Sequence, residues 1–380
     1  MKIRIFQPIV PEYRVALFEG VGKRYGDNVE IWAAEGSGLN NSYPLKNVRF
    51  DYNHPFKYWG SLCWQVGLTL NGLSRGDVVV ICGDVHQLSS LWIAIKAKCR
   101  GIKVVWWGHH RTATSKEIGI KLRLAIAKIL NEVYLCYTRT GIAYLEAHGF
   151  KHGRVFATGN TIDQAPIKEA INLVVGNSCS CREDDQNSNH LSTTTTKNYD
   201  YVLTVGVMRE KIHLDLFLRA MTDKRLANLN LVVIGDGEMK ESWQKLAADL
   251  GISDRVKWLP GTRDQKVMAP WFLGAKAFIY PGSIGLSILH AFSYGLPVIT
   301  HNNAEHQMPE FEVMEDGKTG VCFNEGDVED MIAKTAAFLS DESRRAECGR
   351  YCQDLAFNKY SMDQMIANFC EAINSAGGLK

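Results

Sequence analysis

The chain has 380 residues, which is more than one hydrophobic core usually organises, so two domains are expected. Its composition, 46% hydrophobic and 22% charged, is typical of a soluble globular protein. A formal net charge of +2 argues against binding of nucleic acid through global charge. No apolar run reaches the ~18 residues that a membrane-spanning helix needs, and the start MKIRIFQPIV lacks the apolar core of a signal peptide.

Apolar strand-like runs alternate with helix-like stretches along the first half, which favours a parallel sheet covered by helices. The predicted strands are Ile3–Phe6, Val29–Ala33, Val78–Cys82, Val104–Trp107, Val133–Tyr137 and Arg154–Ala157. The predicted helices are Tyr13–Tyr25, Phe56–Gly72, Leu88–Arg100, Ser115–Leu130 and Thr138–His148.

A polar segment, Gly176–Asn198, interrupts this alternation and is interpreted as an exposed linker because it has no apolar period. Beyond it the predicted strands are Tyr201–Val207, Asn230–Ile234, Val256–Leu259, Ala277–Tyr280 and Pro297–Thr300. The predicted helices are Leu214–Met221, Met239–Leu250, Ala269–Leu273, Leu286–Tyr294, Asp327–Leu339, Glu342–Phe357 and Ser361–Ala376.

The segment Tyr280–Gly320 is the most informative part of the chain and reads YPGSIGLSILHAFSYGLPVITHNNAEHQMPEFEVMEDGKTG. Its Gly-rich loop, Gly282–Gly285, runs from a predicted strand into a predicted helix. Backbone N–H groups and the positive end of a helix dipole then meet at the carboxyl edge of a parallel sheet. Such an edge can hold the diphosphate of a nucleotide without many basic side chains.

Four further motifs follow one another in a recognisable order and spacing: VLTVG (Val202–Gly206), IGDGE (Ile234–Glu238), LAADLGISDRVKWLPG (Leu246–Gly261) and EDGKTG (Glu315–Gly320). Together with GLSILHAFSYGLPVIT they make the chain resemble the retaining family-4 glycosyltransferases. In the N-terminal half only FQPIVPEYR, WWGHH and GNTID match. That family carries two Glu residues separated by seven positions in this loop and helix, whereas Gly282 and His290 stand there in this chain.

The resemblance implies an α/β protein of the GT-B type, with two Rossmann-like doubly wound parallel-sheet domains that face each other across a cleft. The expected boundaries are 1–175 for an acceptor-side domain, 176–199 for the linker and 200–360 for a nucleotide-sugar-binding domain. The last segment, 361–380, is expected to be a helix that returns to the first domain.

The resemblance also implies catalytic positions. Arg209 and Lys211, after the first strand of the second half, are expected to stabilise the leaving diphosphate, although solvated helix-start charges are an equal alternative. His109 follows a buried strand and is expected to position the donor sugar, since a neutral imidazole both donates and accepts hydrogen bonds.

Donor contacts are expected from the backbone of Gly282, Ser283, Ile284, Gly285 and Leu286, and from the side chains of His290 and Glu310. On the acceptor side the resemblance points to Tyr13, Arg14, His110 and Asn160. Other interpretations stay open: a structural helix histidine for His290, a surface acid for Glu310 and a plain turn residue for Asn160.

The stretch Lys116–Lys128 (KEIGIKLRLAIAK) carries Lys116, Lys121, Arg123 and Lys128 among apolar residues. This pattern is typical of an amphipathic helix that contacts an anionic membrane through those four side chains. The solvated face of a packed helix fits the pattern equally well.

The resemblance, together with the missing DxD motif, implies a metal-independent, retaining, hexosyl-type glycosyltransferase. It would transfer sugar from a UDP- or GDP-linked donor to a glycan or lipid-linked acceptor in surface polysaccharide (O-antigen or capsule) biosynthesis. No cofactor beyond this co-substrate is expected, because the chain has no DxD motif and its ten cysteines form no CxxC pair. No nucleic-acid partner is expected, because the net charge of +2 is close to neutral. The expected location is cytoplasmic, with peripheral attachment to the inner membrane as an option.

Alternatives of other classes stay open. The missing Glu pair favours a catalytically impaired GT-B-like nucleotide-sugar-binding or scaffold protein. A nucleotide-sugar 2-epimerase would use the same architecture, but the absence of an acidic pair near the sugar weighs against it. A dehydrogenase is disfavoured because no GxGxxG follows Ile3–Phe6.

Overall fold

The computed structural model describes residues 1–35, 43–109, 117–180 and 200–379. They form two compact units, the first comprising Met1–Ile162 with Met362–Lys380 and the second Asp163–Ser361. The division therefore falls before Asp163, whereas the sequence suggested residue 175. The reason is a helix, Ala165–Ser180, that groups with the second unit and reaches into the expected linker. Most of that linker, 181–199, lies outside the described residues.

The first unit is built on a parallel sheet. Its strands in chain order are β1 Ile3–Phe6, β2 Val29–Trp32, β3 Arg49–Asp51, β4 Phe56–Trp59, β5 Leu62–Gln65, β6 Val78–Cys82, β7 Lys103–Trp107, β8 Val133–Cys136 and β9 Val155–Ala157. Seven of them pair in parallel in the order β3-β2-β1-β6-β7-β8-β9, while β4 and β5 form a separate antiparallel pair.

Helices cover both faces of this sheet. They are α1 Glu12–Tyr25, α2 Leu88–Cys99, α3 Glu117–Leu130 and α4 Arg139–Ala147. One apolar core lies between the sheet and α1 together with the C-terminal helix, and a second lies between the sheet and α2, α3 and α4. The strands are buried on both faces, as a helix-covered parallel sheet requires.

The second unit repeats the architecture, and its first helix is α5 Ala165–Ser180. Its strands are β10 Tyr201–Val205, β11 Asn230–Ile234, β12 Val256–Leu259, β13 Phe278–Tyr280, β14 Val298–His301 and β15 Gly320–Phe323, in the parallel order β12-β11-β10-β13-β14-β15. The remaining helices are α6 Leu214–Ala220, α7 Lys240–Asp249, α8 Gln265–Gly274, α9 Ser287–Ser293, α10 Val328–Ser340, α11 Glu342–Asp354 and α12 Met362–Gly377, of which α12 belongs to the first unit.

The strand order reverses beside the first strand of each unit, between β1 and β6 and between β10 and β13. At such a switch point the loops after the two strands leave in opposite directions and open a crevice at the carboxyl edge, where ligands of doubly wound proteins bind. The Gly-rich loop follows β13, so the fold places it at this edge of the second sheet.

One predicted helix, Phe56–Gly72, is wrong. Residues Phe56–Gln65 form the antiparallel hairpin of β4 and β5, in which Trp59 pairs with Leu62 across a two-residue turn. Gly60 opens the turn at φ 60°, a left-handed conformation that favours glycine. The apolar run has no clear helical period, and Gly60-Ser61 is the turn signal that distinguishes the hairpin from a helix. Strands β3 and β15 and helix α5 were not predicted.

Helix α12 packs on the first sheet through an aromatic contact and on α1 through a hydrogen bond. The rings of Phe369 and Trp107 lie 4.9 Å apart at an angle of 74°. Tyr25 on α1 donates a hydrogen bond to Asn374 Oδ1 at 2.8 Å. The last helix of the chain thus completes the core of the first unit.

No helix of the described residues is long and apolar enough to cross a membrane.

Phe369→Ala should lower the free energy of unfolding by about 3–5 kcal/mol, because it removes a buried ring and leaves a cavity against Trp107. Leu379→Ala, which changes an exposed side chain beyond the same helix, should cost less than about 0.5 kcal/mol. Urea unfolding of both variants tests the contact, and equal effects would contradict it.

Candidate functional site

The loops after β10 and β13 touch each other at the switch point of the second sheet. Ser283 N–H donates to the carbonyl oxygen of Lys211 at 2.9 Å. A Cβ atom added to Gly282 would collide with that same carbonyl oxygen and press on the ring of His213. Glycine is therefore required at position 282 in this conformation, and no side chain can stand where the resemblance expects a Glu.

The buried side chain of Gln307, in the loop that follows β14, fixes the Gly-rich loop. Its Oε1 accepts from Ile284 N–H at 2.7 Å, while its Nε2 donates to Thr300 Oγ1 at 3.1 Å and to the carbonyl oxygen of His301 at 3.0 Å. All these groups are buried, so the amide satisfies partners that water cannot reach. Sequence analysis missed Gln307, because a Gln within a polar loop carries no motif.

These bonds decide which backbone groups remain available to a ligand. The N–H groups of Ser283 and Ile284 are already engaged, so the prediction that they hold a donor does not fit this conformation. The N–H groups of Gly285, Leu286 and Ser287, at the entry to α9, make no hydrogen bond within the described part of the chain. The available backbone donors are thus displaced toward the helix.

Exposed cations flank this loop. Arg209 and Lys211 lie in the loop that follows β10, and neither forms an ion pair with any residue the structure describes. His213, immediately after them, has φ 52° and is the one non-glycine residue with positive φ in the described ranges. Such a conformation costs a non-glycine residue free energy, so the surrounding loop must impose it.

His290 lies on α9 within a packed polar cluster. Its Nε2 donates to Gln265 Oε1 at 2.9 Å, and Tyr294 donates to the same oxygen at 2.9 Å. The ring of Phe272 lies 4.5 Å from the imidazole. Burial lowers the pKa of His290 to about 4, so the side chain is neutral at pH 7. These contacts match the structural role that the sequence left open for His290.

Glu310 is a buried carboxylate beside the Gly-rich loop. Glu310 is only 7% exposed. A Cβ atom added to Gly285 would lie 3.6 Å from Glu310 Oε2. That distance is an ordinary van der Waals contact, so the carboxylate adjoins the loop without forcing glycine at position 285. The structure therefore places an acid near the loop entry to α9, although not at position 282.

In the first unit the carboxyl edge of the sheet carries a cationic and aromatic group. Arg14 donates to Gln7 Oε1 at 2.7 Å and to the hydroxyl of Tyr137 at 3.0 Å, with its guanidinium 4.3 Å from the ring centre of Trp107. The ring of His109 lies 4.5 Å from that of Tyr137. Burial, and then the charges of Arg123 and Arg14, lower the pKa of His109 to about 4.

The structure brings Arg14 and His109 together through Tyr137, which sequence analysis did not single out. Tyr13, predicted on the same side, is exposed and lies with its ring 5.6 Å from the Arg14 guanidinium. Asn160 is half-buried after β9. His110 lies outside the described residues.

The predicted membrane contact through four basic side chains is wrong in part. Arg123 is only 9% exposed and faces the core, because it shares the inward stripe of α3 with Leu124 and Ala127. Lys121 and Lys128 are exposed on the opposite stripe, and Lys116 lies outside the described residues.

No group of three or more His, Cys, Asp or Glu side chains that could hold a metal ion occurs in the described ranges.

Comparison with known proteins gives a family match over part of the chain. Residues 185–354 match the family model described as Glycosyl transferases group 1. The chain is 30% identical over 158 residues to the sulfoquinovosyl transferase SQD2 of Arabidopsis thaliana, covering 40% of this chain and 29% of that protein. It is 24% identical over 177 residues to the lipopolysaccharide core biosynthesis glycosyltransferase LpsE of Rhizobium meliloti, covering 46% and 49%. The matches thus span less than half of these relatives.

Solved structures are similar over nearly the whole chain. The apo form of the lipopolysaccharide outer core galactosyltransferase WaaB has a TM-score of 0.68 at 15% identity, covering 99% of each chain. Anabaena Alr3699/HepE in complex with UDP has a TM-score of 0.66 at 14% identity, covering 99% of this chain and 100% of that one. These likenesses show the fold, two Rossmann-like parallel-sheet units of the GT-B type.

Gly282→Ala should lower the free energy of unfolding by about 1–3 kcal/mol, since the new methyl group would overlap the Lys211 carbonyl. Gly285→Ala is the matched control, because its methyl group would make ordinary contacts only. Its stability should be unchanged or slightly higher. Chemical denaturation measures the free energy of unfolding of both variants. If Gly282→Ala lowers it no more than Gly285→Ala does, the close approach of Gly282 to the Lys211 carbonyl is refuted.

His290 should make stability depend on pH. Its folded pKa of about 4 lies below the unfolded value of roughly 6.5, so its contribution is present above pH 6.5 and is lost as the pH falls toward 4. Wild type should therefore lose about 1–2 kcal/mol more than His290→Gln between pH 7 and pH 5. Urea unfolding at the two pH values measures the difference, and parallel losses would show that His290 does not titrate as inferred.

Proposed function

We propose that the chain is a retaining hexosyl-type glycosyltransferase. It transfers a sugar from a UDP- or GDP-linked donor to a glycan or lipid-linked acceptor in surface-polysaccharide biosynthesis, and it needs no metal. The observation that carries the proposal lies inside the segment that matches the group 1 model. There the unengaged N–H groups of Gly285, Leu286 and Ser287 adjoin a loop with two exposed cations, at the switch point of a doubly wound sheet.

These groups suit a nucleotide diphosphate leaving group. Backbone N–H groups at a helix entry and the charges of Arg209 and Lys211 would stabilise the negative charge that grows on the diphosphate as the glycosidic bond to the donor breaks. The acceptor hydroxyl would attack from the same face, and its proton would pass to an oxygen of the leaving phosphate. No side chain of the chain is then required as a nucleophile.

Other residues would position the reactants. A neutral His109 is able to donate or accept a hydrogen bond to a sugar hydroxyl, and its lowered pKa keeps it neutral at pH 7. Glu310 is the carboxylate nearest to position 285 and would accept a bond from a donor hydroxyl. Tyr13, Arg14 and Asn160 are proposed for the acceptor side. The protein would act in the cytoplasm, in peripheral contact with the membrane that holds a lipid-linked acceptor.

A second candidate rests on Gly282. Because no side chain fits there, the donor sugar loses the carboxylate expected from the resemblance, which favours a nucleotide-sugar-binding or scaffold protein without transfer activity. The two candidates differ in turnover. A scaffold binds nucleotide sugar and leaves it intact, whereas a transferase releases nucleotide, at least slowly to water.

Lys211→Ala should reduce the kcat/KM of nucleotide release from the preferred UDP- or GDP-sugar about 100-fold or more, as removal of a charge-stabilising group does in other enzymes. Lys245→Ala, an exposed lysine on α7, is the control and should have no effect. Chromatography of released nucleotide, with and without EDTA, gives the rates, and NMR of the product gives the anomeric configuration. Equal rates for Lys211→Ala and Lys245→Ala would show that Lys211 takes no part in the reaction. Binding of the donor by the wild type without release of nucleotide would favour the scaffold protein.

A further inference from the structure

The hairpin of β4 and β5 exposes large apolar side chains near its tip, where the only ring contact of Tyr58 in the described chain is with Phe56, 5.8 Å away. Tyr58 is 71% exposed and Trp59 is 58% exposed, and Leu62 across the turn is exposed as well. Burying aromatic rings is strongly favourable, so a tip that displays two of them to water forgoes stabilisation. Exposed apolar clusters of this kind mark surfaces that bind a protein partner or a membrane.

This hairpin is held firmly by its base. Gln65 N–H donates a hydrogen bond to the Ser89 hydroxyl at 3.0 Å. Gln87 Nε2 donates to Gln65 Oε1 at 3.0 Å. The rings of Trp64 and Trp92 lie 5.8 Å apart. Because the base is tied to the start of α2, the exposed tip is presented by a defined element.

Helix α3 adds an unusual outward stripe beside α2. Its described exposed residues fall at positions 119, 121, 122, 125, 128 and 129, which share one face of a helix. Leu122 is 62% exposed and Ile129 is 65% exposed. A lysine precedes each of them, and the inward stripe of α3 is already packed in the core. The outward stripe is therefore a second amphipathic surface, not the one that binds the sheet.

The two helices adjoin each other and share this character. Lys98 on α2 donates to the carbonyl oxygen of Ile129, and both helices pack in the same core on one face of the sheet. Ile95 on α2 is also exposed. Hairpin, α2 and α3 thus form one side of the first unit, which we call the interfacial face, with six exposed apolar side chains: Tyr58, Trp59, Leu62, Ile95, Leu122 and Ile129.

The charge of these elements is one-sided. The sequences of β4, β5, α2 and α3 contain six basic residues and a single carboxylate, Glu117. The whole chain has 43 basic and 41 acidic residues, so this excess is local. Five of the six basic side chains are exposed, namely Lys57, Lys96, Lys98, Lys121 and Lys128. A protein partner would need a matching acidic and apolar surface, whereas an anionic bilayer offers both properties at once.

We propose that the interfacial face docks on an anionic lipid bilayer, with Tyr58 and Trp59 inserted at the level of the lipid headgroups and the lysines above anionic phosphates. Trp and Tyr prefer that depth because their rings are apolar and their N–H and O–H groups remain hydrated. Leu122 and Ile129 would add apolar area, and the binding is peripheral and reversible. This inference is independent of the proposed transfer reaction, because it concerns binding to lipid without donor or acceptor.

The test is co-flotation of the whole chain with vesicles of neutral phosphatidylcholine and with vesicles that also contain anionic phosphatidylserine. Wild type should float with the anionic vesicles at low salt and much less with neutral ones. The variant Tyr58→Ser with Trp59→Ser should lose about tenfold or more in vesicle affinity. Lys57→Glu should lose about fivefold or more, with the loss largest at low salt.

Matched controls lie in the second unit. Val267→Ser removes an exposed apolar side chain and Lys245→Glu reverses an exposed charge there, and both should float like wild type. Unchanged flotation of the Tyr58 and Trp59 variant, with circular dichroism like wild type, would overturn the proposal. Failure of the wild type to float with anionic vesicles would also overturn it. If the wild type self-associates with rising concentration and the Tyr58 and Trp59 variant does not, the face instead binds a second copy of the chain. Thermal stabilisation by UDP or GDP should persist in all variants, which separates this outcome from a failure of donor binding.

Discussion

A single close approach organises the second unit: the backbone of the loop after β13 lies against the carbonyl of Lys211 in the loop after β10. Glycine at position 282 permits it, and Ser283 N–H closes it. Gln307, in the loop after β14, then binds Ile284 N–H and anchors it to Thr300 and His301 at the end of β14. Three strand ends are joined in this way at the switch point, and the N–H groups that remain available are those of Gly285, Leu286 and Ser287 in the described chain.

This constraint explains why the chain departs from the paired-Glu pattern at position 282. A carboxylate at position 282 would have to displace the Lys211 loop, so its absence is part of the loop's packing. At the second position His290 is neutral and bonded to Gln265 within the second unit. The carboxyl edge also carries backbone N–H donors and two cations, Arg209 and Lys211, which attract anions rather than metal ions.

Much of the fold was predictable because parallel strands buried on both faces read as continuous apolar runs. Ile3–Phe6, Val78–Cys82, Asn230–Ile234 and Val256–Leu259 form strands with the predicted bounds. The hairpin at Phe56–Gln65 was predicted as a helix, since an apolar run without a clear period does not choose between the two. Its turn glycine carried the missing signal.

The site was less predictable because it depends on contacts between distant segments. Gly282 was identified from its motif, yet the carbonyl that excludes a side chain there comes from Lys211, in another loop. Gln307 acts through partners on β14 and in the Gly-rich loop, which no local pattern reveals. Arg123 was assigned to the surface because composition does not say which stripe of α3 faces the core.

Thermal unfolding in the presence of UDP, GDP, ADP, CMP and NAD tests the central claim most directly. If the switch-point loops of the second unit bind a nucleotide diphosphate, UDP or GDP should raise the Tm in a saturable manner, equivalent to about 2.7 kcal/mol at a hundredfold excess over the Kd, while CMP and NAD should not. A rise with NAD alone, or no rise with any of the five, would contradict the assignment of this site.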